Sequence, residues 1–140
     1  MNETELDERL SRPSDGVLEV LRRLPGVLLV LGAGGKMGPS LARMARRSFD
    51  RLGRSDRVIA VSRFTTPGLR ESLDATGVTT VSADLLDRRA LAALPDAPNL
   101  VFMAGHKFGT RAAPHITWAM NALLPALVAE RYPAACTVVF

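Results

Sequence analysis

Residues 27–38 read VLLVLGAGGKMG, an unbroken apolar run that stops at a turn rich in glycine. Such a run is typical of a strand buried on both faces, as in a parallel sheet. An amphipathic helical pattern follows, so the segment predicts a strand, a tight turn and a helix in succession. In that context the turn predicts a site for the pyrophosphate of a dinucleotide, because a helix N-terminus offers unpaired N–H groups and a partial positive charge.

The glycines of this turn have separate expected tasks. Gly32 permits the tight turn, Gly35 lets the backbone approach the pyrophosphate, and Gly38 lets the helix pack closely on the strand. The spacing is GxxGxxG and not that of a P-loop, which needs Ser or Thr at Met37 and glycine at Val30. A glycine-rich turn that binds no ligand is the alternative. The candidate cofactor-binding residues of the turn are Gly32, Gly34, Gly35, Lys36, Met37 and Gly38.

The rest of the chain continues the alternation of strands and helices. The predicted strands are residues 27–31, 58–61, 78–82, 100–103 and 136–140. The predicted helices between them start after Gly38, at Thr66-Pro67 with a stop at Gly77, near Arg88 (to Leu94) and at about Thr117 (to Glu130). This order predicts an α/β, Rossmann-like, doubly wound parallel sheet with right-handed crossovers and strand order 3-2-1-4-5.

The helix after Gly38 is expected to be amphipathic. Leu41 and Ala45 recur at helical spacing on one face. The opposite, solvated basic face is expected to carry Arg43, Arg46, Arg47 and Arg51.

Residues 1–26 predict a helical preamble to this domain. Ser14 can cap a helix that Pro25-Gly26 ends, with Val17 and Leu21 on one face, and its expected role is packing. Residues 27–140 form the predicted NAD(P)-binding domain. We expect this domain to be incomplete, truncated at the fifth strand, because no turn follows Cys136–Phe140.

Composition bounds the class of protein. The chain has 140 residues, 47% of them hydrophobic, enough for one buried core. Its net charge of +4 raises the alternative of nucleic-acid binding, but the arginines are scattered and aromatic residues make up only 5%, so a stacking platform is missing. No segment reaches transmembrane length, and the N-terminus does not resemble a secretory signal. With Cys136 as the only cysteine we expect no intrachain disulfide and no cysteine-based metal site, and a reducing cytoplasm as the location. No other metal site is predicted.

Four motifs in order resemble those of the extended short-chain dehydrogenase/reductases, also called NAD-dependent epimerase/dehydratases. They are the GxxGxxG turn, Asp84-Leu85 after the third strand, Ala104-Gly105 after the fourth, and Asn121 in the next helix. The segment Ala104-Gly105-His106-Lys107 is similar to that of sugar-nucleotide epimerases. The resemblance covers about residues 27–140.

The resemblance implies roles for residues beyond the glycine turn. Asp84 would hydrogen-bond the adenine with Leu85 beside the ring. Ala104, Gly105 and Lys107 would run along the ribose and pyrophosphate toward the nicotinamide. All follow the carboxyl ends of predicted strands, where open sheets bind ligands. The alternatives are that Asp84 only caps the next turn and that Lys107 is a solvated loop cation.

The end of the second strand bears on the choice of cofactor. NAD-binding folds usually place an acidic residue there for the ribose hydroxyls, whereas this chain has Ser62-Arg63. A hydroxyl and a guanidinium suit a 2′-phosphate, because arginine grips phosphate with paired hydrogen bonds. We therefore expect NADP or NAD, with NADP preferred. A surface arginine among many is the alternative.

The two histidines and the helix that contains Asn121 and Pro125 are considered next. His106 and His115 stand on predicted loops without a neighbouring carboxylate or nucleophile, and we expect both to be surface residues. Pro125 lacks the N–H that would bond the Asn121 carbonyl, so the helix should kink there. The Gly-Thr pair that follows the corresponding asparagine in the family is absent here. The match of Asn121 to the family's motif is therefore incomplete.

No catalytic residue is predicted in the chain. The family's chemistry comes from a Ser or Thr past the fifth strand and a Tyr-x-x-x-Lys pair, and Tyr132 is followed at that spacing by Cys136. The resemblance thus implies the cofactor-binding part of an epimerase/dehydratase or reductase that acts on a small molecule, such as a sugar nucleotide. A homodimer of the full-length protein is left open as an alternative to a monomer. A non-catalytic dinucleotide sensor of redox state is the alternative.

Overall fold

A computed structural model describes residues 2–107 and 111–140. Its centre is a sheet of five parallel strands in the order β3-β2-β1-β4-β5, which confirms the predicted fold class and order. Every strand boundary lies within one residue of the prediction. The strands are β1 (Leu28–Leu31), β2 (Val58–Ser62), β3 (Thr79–Ser82), β4 (Asn99–Phe102) and β5 (Cys136–Val139).

The helices agree with the predictions less closely at their ends. They are α1 (Glu3–Leu10), α2 (Asp15–Arg23), α3 (Gly38–Arg51), α4 (Leu69–Asp74), α5 (Arg88–Ala92), α6 (Pro114–Trp118) and α7 (Leu124–Arg131). The predicted start of α4 at Thr66-Pro67 is wrong: Gly68 has a φ of 75°, a left-handed conformation that separates Pro67 from the helix. The last helical region begins earlier than predicted, with Pro114 in its first turn.

The predicted distortion before Pro125 takes the form of a π-helical turn. It spans Ala119–Leu123 and joins α6 to α7 without a break. The Leu124 N–H bonds the Ala119 carbonyl five residues back, and Pro125 has no N–H to continue the normal ladder. Asn121 lies in the middle of this turn.

The sheet separates two apolar cores. On one face β1 and β2 pack against α2, α3 and α4, with Phe49 and Leu73 almost fully buried. On the other face α5 and α7 cover the sheet, with Leu124 at its centre. Strand β1 is buried along its whole length, as the apolar run predicts. No helix in the described ranges is long and apolar enough to cross a membrane.

The expected solvated basic face of α3 is wrong for Arg46. This side chain is only 9% exposed and its guanidinium donates to the Asp50 carboxylate at 2.8 Å. It also bonds the backbone carbonyls of Arg54 and Asp56, which follow the helix. Arg51 alone of the four arginines is exposed as expected.

Two more of these arginines hold the N-terminal preamble in place. Arg43 forms an ion pair with Asp7 at 3.4 Å, and Arg47 forms one with Glu8. The hydrogen bonds to Arg47 hold the pKa of the Glu8 carboxyl below its usual value. Both acids lie on α1, a helix that the sequence analysis did not predict. The basic face of α3 is therefore partly an interface with the preamble, whose packing role is supported.

Candidate dinucleotide site

A cavity of about 330 Å³ opens at the carboxyl ends of β1, β2, β3 and β4. Because the strands are parallel, the four turns that follow them meet at this end of the sheet. Nine of the predicted site residues line the cavity: Gly32, Gly34, Gly35, Ser62, Arg63, Asp84, Leu85, Ala104 and Gly105. Sequence reasoning missed other lining residues, among them Thr65, Ile116 and Met120, because they lie on loops and a helix outside any motif.

Two glycines of the turn are needed for packing within the protein. Gly32 has a φ of 86°, and a Cβ there would lie 2.5 Å from the backbone nitrogen of Ala104. A Cβ at Gly38 would overlap the backbone of Ala33. The left-handed backbone of Gly32 fits its predicted place in a tight turn, and the glycine also lets the turns after β1 and β4 touch. Gly38 was predicted to let the helix pack on the strand, and it brings α3 against Ala33 in the turn that follows the strand. Gly38 does not line the cavity.

The other two glycines face the cavity. A Cβ at Gly34 would overlap the hydroxyl of Ser62 at the end of β2, so a side chain at position 34 would clash there. A Cβ at Gly35 would meet only the Gly32 carbonyl, at an ordinary 3.5 Å. Gly35 has no internal need to be glycine, because a Cβ there has open space around it, and the residue lines the cavity. The turn thus forms a cradle of bare backbone beside the cavity.

The start of α3 adds to this cradle. The helix runs for 14 residues, and its N-terminus has no side-chain cap and no acidic residue in its first turn. Pro39 stands near the first position and carries no N–H. The partial positive charge of the helix is therefore left for an anion. Met37 precedes the helix, is 55% exposed, and lines no described cavity.

Asp84 lies in the turn after β3, and two roles were considered for it: contact with a ligand, and capping of its own turn. The carboxylate accepts a hydrogen bond from the Leu86 N–H at 3.0 Å, so it does cap its own turn. It is also exposed and borders the cavity, which leaves its second oxygen open to a ligand. Leu85 is 6% exposed and packs mainly into the core.

The turn after β2 holds Arg63 at the cavity wall. Arg63 is exposed and forms no hydrogen bond or ion pair with the described part of the chain. The next residue, Phe64, has a φ of 47°, a rare conformation for a bulky residue, and packs against the core. Its N–H donates to the Ser62 hydroxyl at 3.4 Å. This anchored turn places Arg63 and Thr65 on the same rim.

His106 is not the surface residue that the sequence analysis expected. It lines the cavity, and its Nε2 atom is buried without a hydrogen-bond partner among the described residues. Its backbone is clamped by Asn121, which accepts from the His106 N–H at 2.8 Å and donates to its carbonyl at 2.9 Å. No local sequence pattern could predict this clamp, since His106 and Asn121 are 15 positions apart. His115 is exposed, as predicted.

A second cavity of about 580 Å³ adjoins the first beyond the loop after β4. Lys36 and Lys107, the remaining predicted site residues, line this second cavity and not the first. Residues 103–106 and Met120 border both. Eleven of the thirteen predicted cofactor-binding residues are therefore divided between two neighbouring spaces, and Met37 and Gly38 line neither.

Tyr132 lies at the opposite end of the sheet. Its hydroxyl donates to the Pro95 carbonyl at 3.0 Å, just before β4 begins. The side chain is 7% exposed, and burial raises the pKa of its phenol. It lines neither of the two cavities.

Comparison with known proteins gives matches in structure. No family model matches the sequence, and no curated protein sequence is significantly similar. Pen from Bacillus thuringiensis superposes with a TM-score of 0.64 at 15% identity, over 76% of this chain and 33% of Pen. The Bordetella bronchiseptica enzyme WbmF, in complex with NAD+ and UDP, gives 0.63 at 14% identity, over 84% of this chain and 36% of WbmF.

A third match is L-threonine dehydrogenase from Clostridium difficile, with a TM-score of 0.61 at 17% identity over 83% of this chain and 36% of the enzyme. These identities establish the fold and nothing finer. They confirm the fold that the resemblance to extended short-chain dehydrogenase/reductases implies. The chain therefore has the Rossmann-like fold of these proteins and spans about a third of their length.

Proposed function

We propose that this chain is the NAD(P)-binding portion of an epimerase/dehydratase or a reductase that acts on a sugar nucleotide or a similar small molecule. The observation that carries the proposal is the glycine cradle. Gly35 presents bare backbone to the cavity although the protein itself has room for a side chain there. A dinucleotide that must approach the backbone closely accounts for this glycine.

Each part of a dinucleotide would meet particular residues of the cavity wall. Gly34, Gly35 and the N-terminus of α3 would hold the pyrophosphate. Asp84 would accept a hydrogen bond from the adenine through the oxygen that its own turn leaves open. On the other side of the cradle, the clamped loop at Ala104 and Gly105 would border the nicotinamide half.

We further propose a preference for NADP over NAD. Arg63 is exposed on the cavity rim and has no acidic partner in the described chain, and Ser62 lies beside it. A 2′-phosphate would give this guanidinium a charge-assisted partner. The solved WbmF complexes contain NAD+. The proposed preference for NADP therefore rests on Ser62 and Arg63 of this chain and not on the similarity of fold.

The bound nicotinamide would supply hydride exchange, and the described residues would bind and orient it. Tyr132 is the chain's only tyrosine, and Cys136 holds the lysine position of a Tyr-x-x-x-Lys pair. Its hydroxyl is also bonded at the far end of the sheet. We therefore propose that residues 1–140 bind the cofactor without turnover.

The same observation favours a second candidate, a non-catalytic sensor of the cofactor's redox state. The two functions differ in what an extended chain would do. An enzyme gains turnover when residues that supply a Tyr-x-x-x-Lys pair are present, whereas a sensor gains none. A UDP-bound neighbour such as WbmF makes nucleotide sugars the first substrates to try.

The test titrates residues 1–140 with NADPH and NADH by cofactor fluorescence, then follows reduced-cofactor absorbance across a panel of sugar nucleotides. We expect saturable binding and no turnover. Failure of both cofactors to bind would contradict the proposal. Turnover by this chain alone would contradict the assignment of catalysis to residues that it lacks.

A further inference from the structure

Phe64 has an unusual backbone conformation. Among residues 2–107 and 111–140 it is the only residue other than glycine with a positive φ, which is 47°. Bulky side chains rarely adopt this left-handed conformation, whereas glycine adopts it freely, as Gly68 does four residues later. Such conformations persist where the surrounding structure fixes them, and they cluster at functional sites. A phenylalanine at this position therefore needs a reason that lies in its side chain.

The side chain of Phe64 belongs to the core and not to the cavity. It is partly buried and packs against the core that β1 and β2 share with α3 and α4. The residues on either side of it, Arg63 and Thr65, are exposed and line the cavity of about 330 Å³. Phe64 itself does not line this cavity. The turn after β2 thus has its middle residue in the core and both neighbours on the rim.

The backbone around Arg63 is fixed on both sides. Before it, Ser62 pairs with Ser82 of β3 and its carbonyl accepts a hydrogen bond from the Ala83 N–H at 3.0 Å. After it, the Phe64 N–H donates to the Ser62 hydroxyl at 3.4 Å, and the Phe64 ring contacts the core. Arg63 is therefore held between a strand residue and a core residue.

The Arg63 side chain has no comparable support. It is exposed and forms no hydrogen bond or ion pair with the described part of the chain. A long side chain with this freedom loses rotamer entropy when it binds a ligand. The position of its backbone therefore decides which part of the cavity the guanidinium reaches, and that position depends on Phe64.

We propose that Phe64 is a positioning residue that sets the preference for NADP over NAD by holding Arg63 at the rim of the cavity. This inference rests on the proposed function, in which Arg63 binds the 2′-phosphate. Phe64 touches no part of the cofactor. When the anchor is lost, the turn must be ordered on binding, and that cost lowers the affinity for a ligand that uses Arg63. NADH has no 2′-phosphate for Arg63 and is spared.

The first test compares two substitutions of Phe64 by fluorescence titration with NADPH and NADH. Phe64→Gly accepts the left-handed backbone but removes the anchor, whereas Phe64→Leu keeps an apolar side chain in the core. We expect Phe64→Gly to weaken NADPH binding about three- to tenfold and NADH binding less than about twofold. Phe64→Leu should keep most of the preference of the wild type. If Phe64→Gly does not fold, Phe64→Asn repeats the test, because asparagine also tolerates this backbone conformation.

A control substitution separates positioning from general damage to the core. Phe49 belongs to the same core and is 1% exposed, so Phe49→Leu should lower the urea midpoint of unfolding. Its ratio of NADPH to NADH affinity should equal that of the wild type. A merely structural Phe64 would behave in the same way as Phe49.

A double substitution tests whether Phe64 acts through Arg63. Once Arg63→Ala has removed the guanidinium, Phe64→Gly should cause no further loss of NADPH affinity. Losses that multiply in the double variant would show that the two residues act independently, and would contradict the positioning role.

A measurement without cofactor tests the turn itself. Limited trypsin digestion followed by mass spectrometry gives the rate of cleavage after Arg63, with cleavage after Arg57, an exposed residue at the other end of β2, as the reference. We expect Phe64→Gly to raise the rate after Arg63 severalfold relative to the rate after Arg57, because exposed turns are cleaved when they are not tied down. Phe64→Leu should change this ratio little.

The outcomes distinguish the inference from the proposed function. If the wild type binds neither cofactor, the proposed function is contradicted, and the inference fails with it. If both cofactors bind and Phe64→Gly leaves both the ratio of affinities and the cleavage ratio unchanged, the inference alone is overturned.

Discussion

The two ends of the sheet are built in opposite ways. At the amino end, polar side chains satisfy the loop carbonyls: Asn99 donates to Pro25 at 2.8 Å, and Tyr132 donates to Pro95 at 3.0 Å. At the carboxyl end, glycine backbone is bare and His106 keeps a buried nitrogen without a partner in the described chain. Buried polar groups are normally paired, so this nitrogen needs a partner that the described residues do not supply. The amino end carries hydrogen bonds that stabilise the fold, and the carboxyl end exposes bare backbone to the cavity.

The largest expected effect comes from Gly32→Ala, which would lower both the stability of the fold and the binding of the cofactor. The left-handed backbone costs about 1–2 kcal/mol and the clash with Ala104 about 1–3 kcal/mol, so the free energy of unfolding should fall by about 3 kcal/mol. Gly53→Ala is the matched control, because Gly53 also has a positive φ but no atom within 4 Å of its Cβ. Equal losses in urea unfolding would contradict the close approach of the two turns.

Substitutions of two asparagines, Asn99 and Asn121, should distinguish the two ends of the sheet. Asn99 is 5% exposed, and Asn99→Ala removes its hydrogen bonds to the Pro25 and Val27 carbonyls. The substitution should lower the free energy of unfolding by about 2 kcal/mol, with NADPH affinity unchanged. Asn121 is exposed, so Asn121→Ala should cost about 1 kcal/mol or less but weaken NADPH binding severalfold by freeing the His106 loop. Chemical denaturation and fluorescence titration measure the two quantities. The reverse pattern would show that the division between the ends is wrong.

Arg63→Ala should change cofactor preference without changing stability. A charge-assisted contact is worth about 1.5–3 kcal/mol, so NADPH should bind about tenfold more weakly or worse, and NADH should be spared. Arg51→Ala, at an exposed arginine outside the cavity, serves as the control. Equal losses for NADPH and NADH would remove Arg63 from the 2′-phosphate site.

The smallest effect is a pH dependence at the amino end. Burial raises the pKa of Tyr132, so its contribution to stability is complete below the unfolded value of about 10 and is lost as pH rises through the higher folded value. The free energy of unfolding should therefore decline more steeply above about pH 10 in the wild type than in Tyr132→Phe. Parallel pH profiles would mean that the phenol is not held protonated by the fold.

Local patterns predicted much of this architecture. The run at 27–31 and the glycine turn carry their information within a dozen residues, because backbone conformation and close packing demand particular residue types. Strand order followed from the alternation of elements. The helix α1 was missed because ETELDERL has few apolar residues to show a period.

Much of what failed was non-local. Arg43 and Arg47 were taken as solvated because their partners, Asp7 and Glu8, belong to the unpredicted helix α1. Arg46 is the exception, since its partner Asp50 lies only four residues further on. His106 was taken as a surface residue because the Asn121 clamp joins two elements and leaves no trace in either segment. That Lys36 and Lys107 line the same cavity likewise depends on the pairing of β1 with β4.

The central claim is that Gly35 is glycine for the sake of a bound dinucleotide. The measurement is calorimetric titration of NADPH into Gly35→Val, with Gly16→Val as the control. Both positions have room for a side chain, since the nearest atoms to their Cβ positions lie at 3.5 and 3.9 Å, but only Gly35 faces the cavity. We predict that Gly35→Val remains folded and loses NADPH binding, while Gly16→Val binds as the wild type does. Unchanged binding in a folded Gly35→Val would contradict the account.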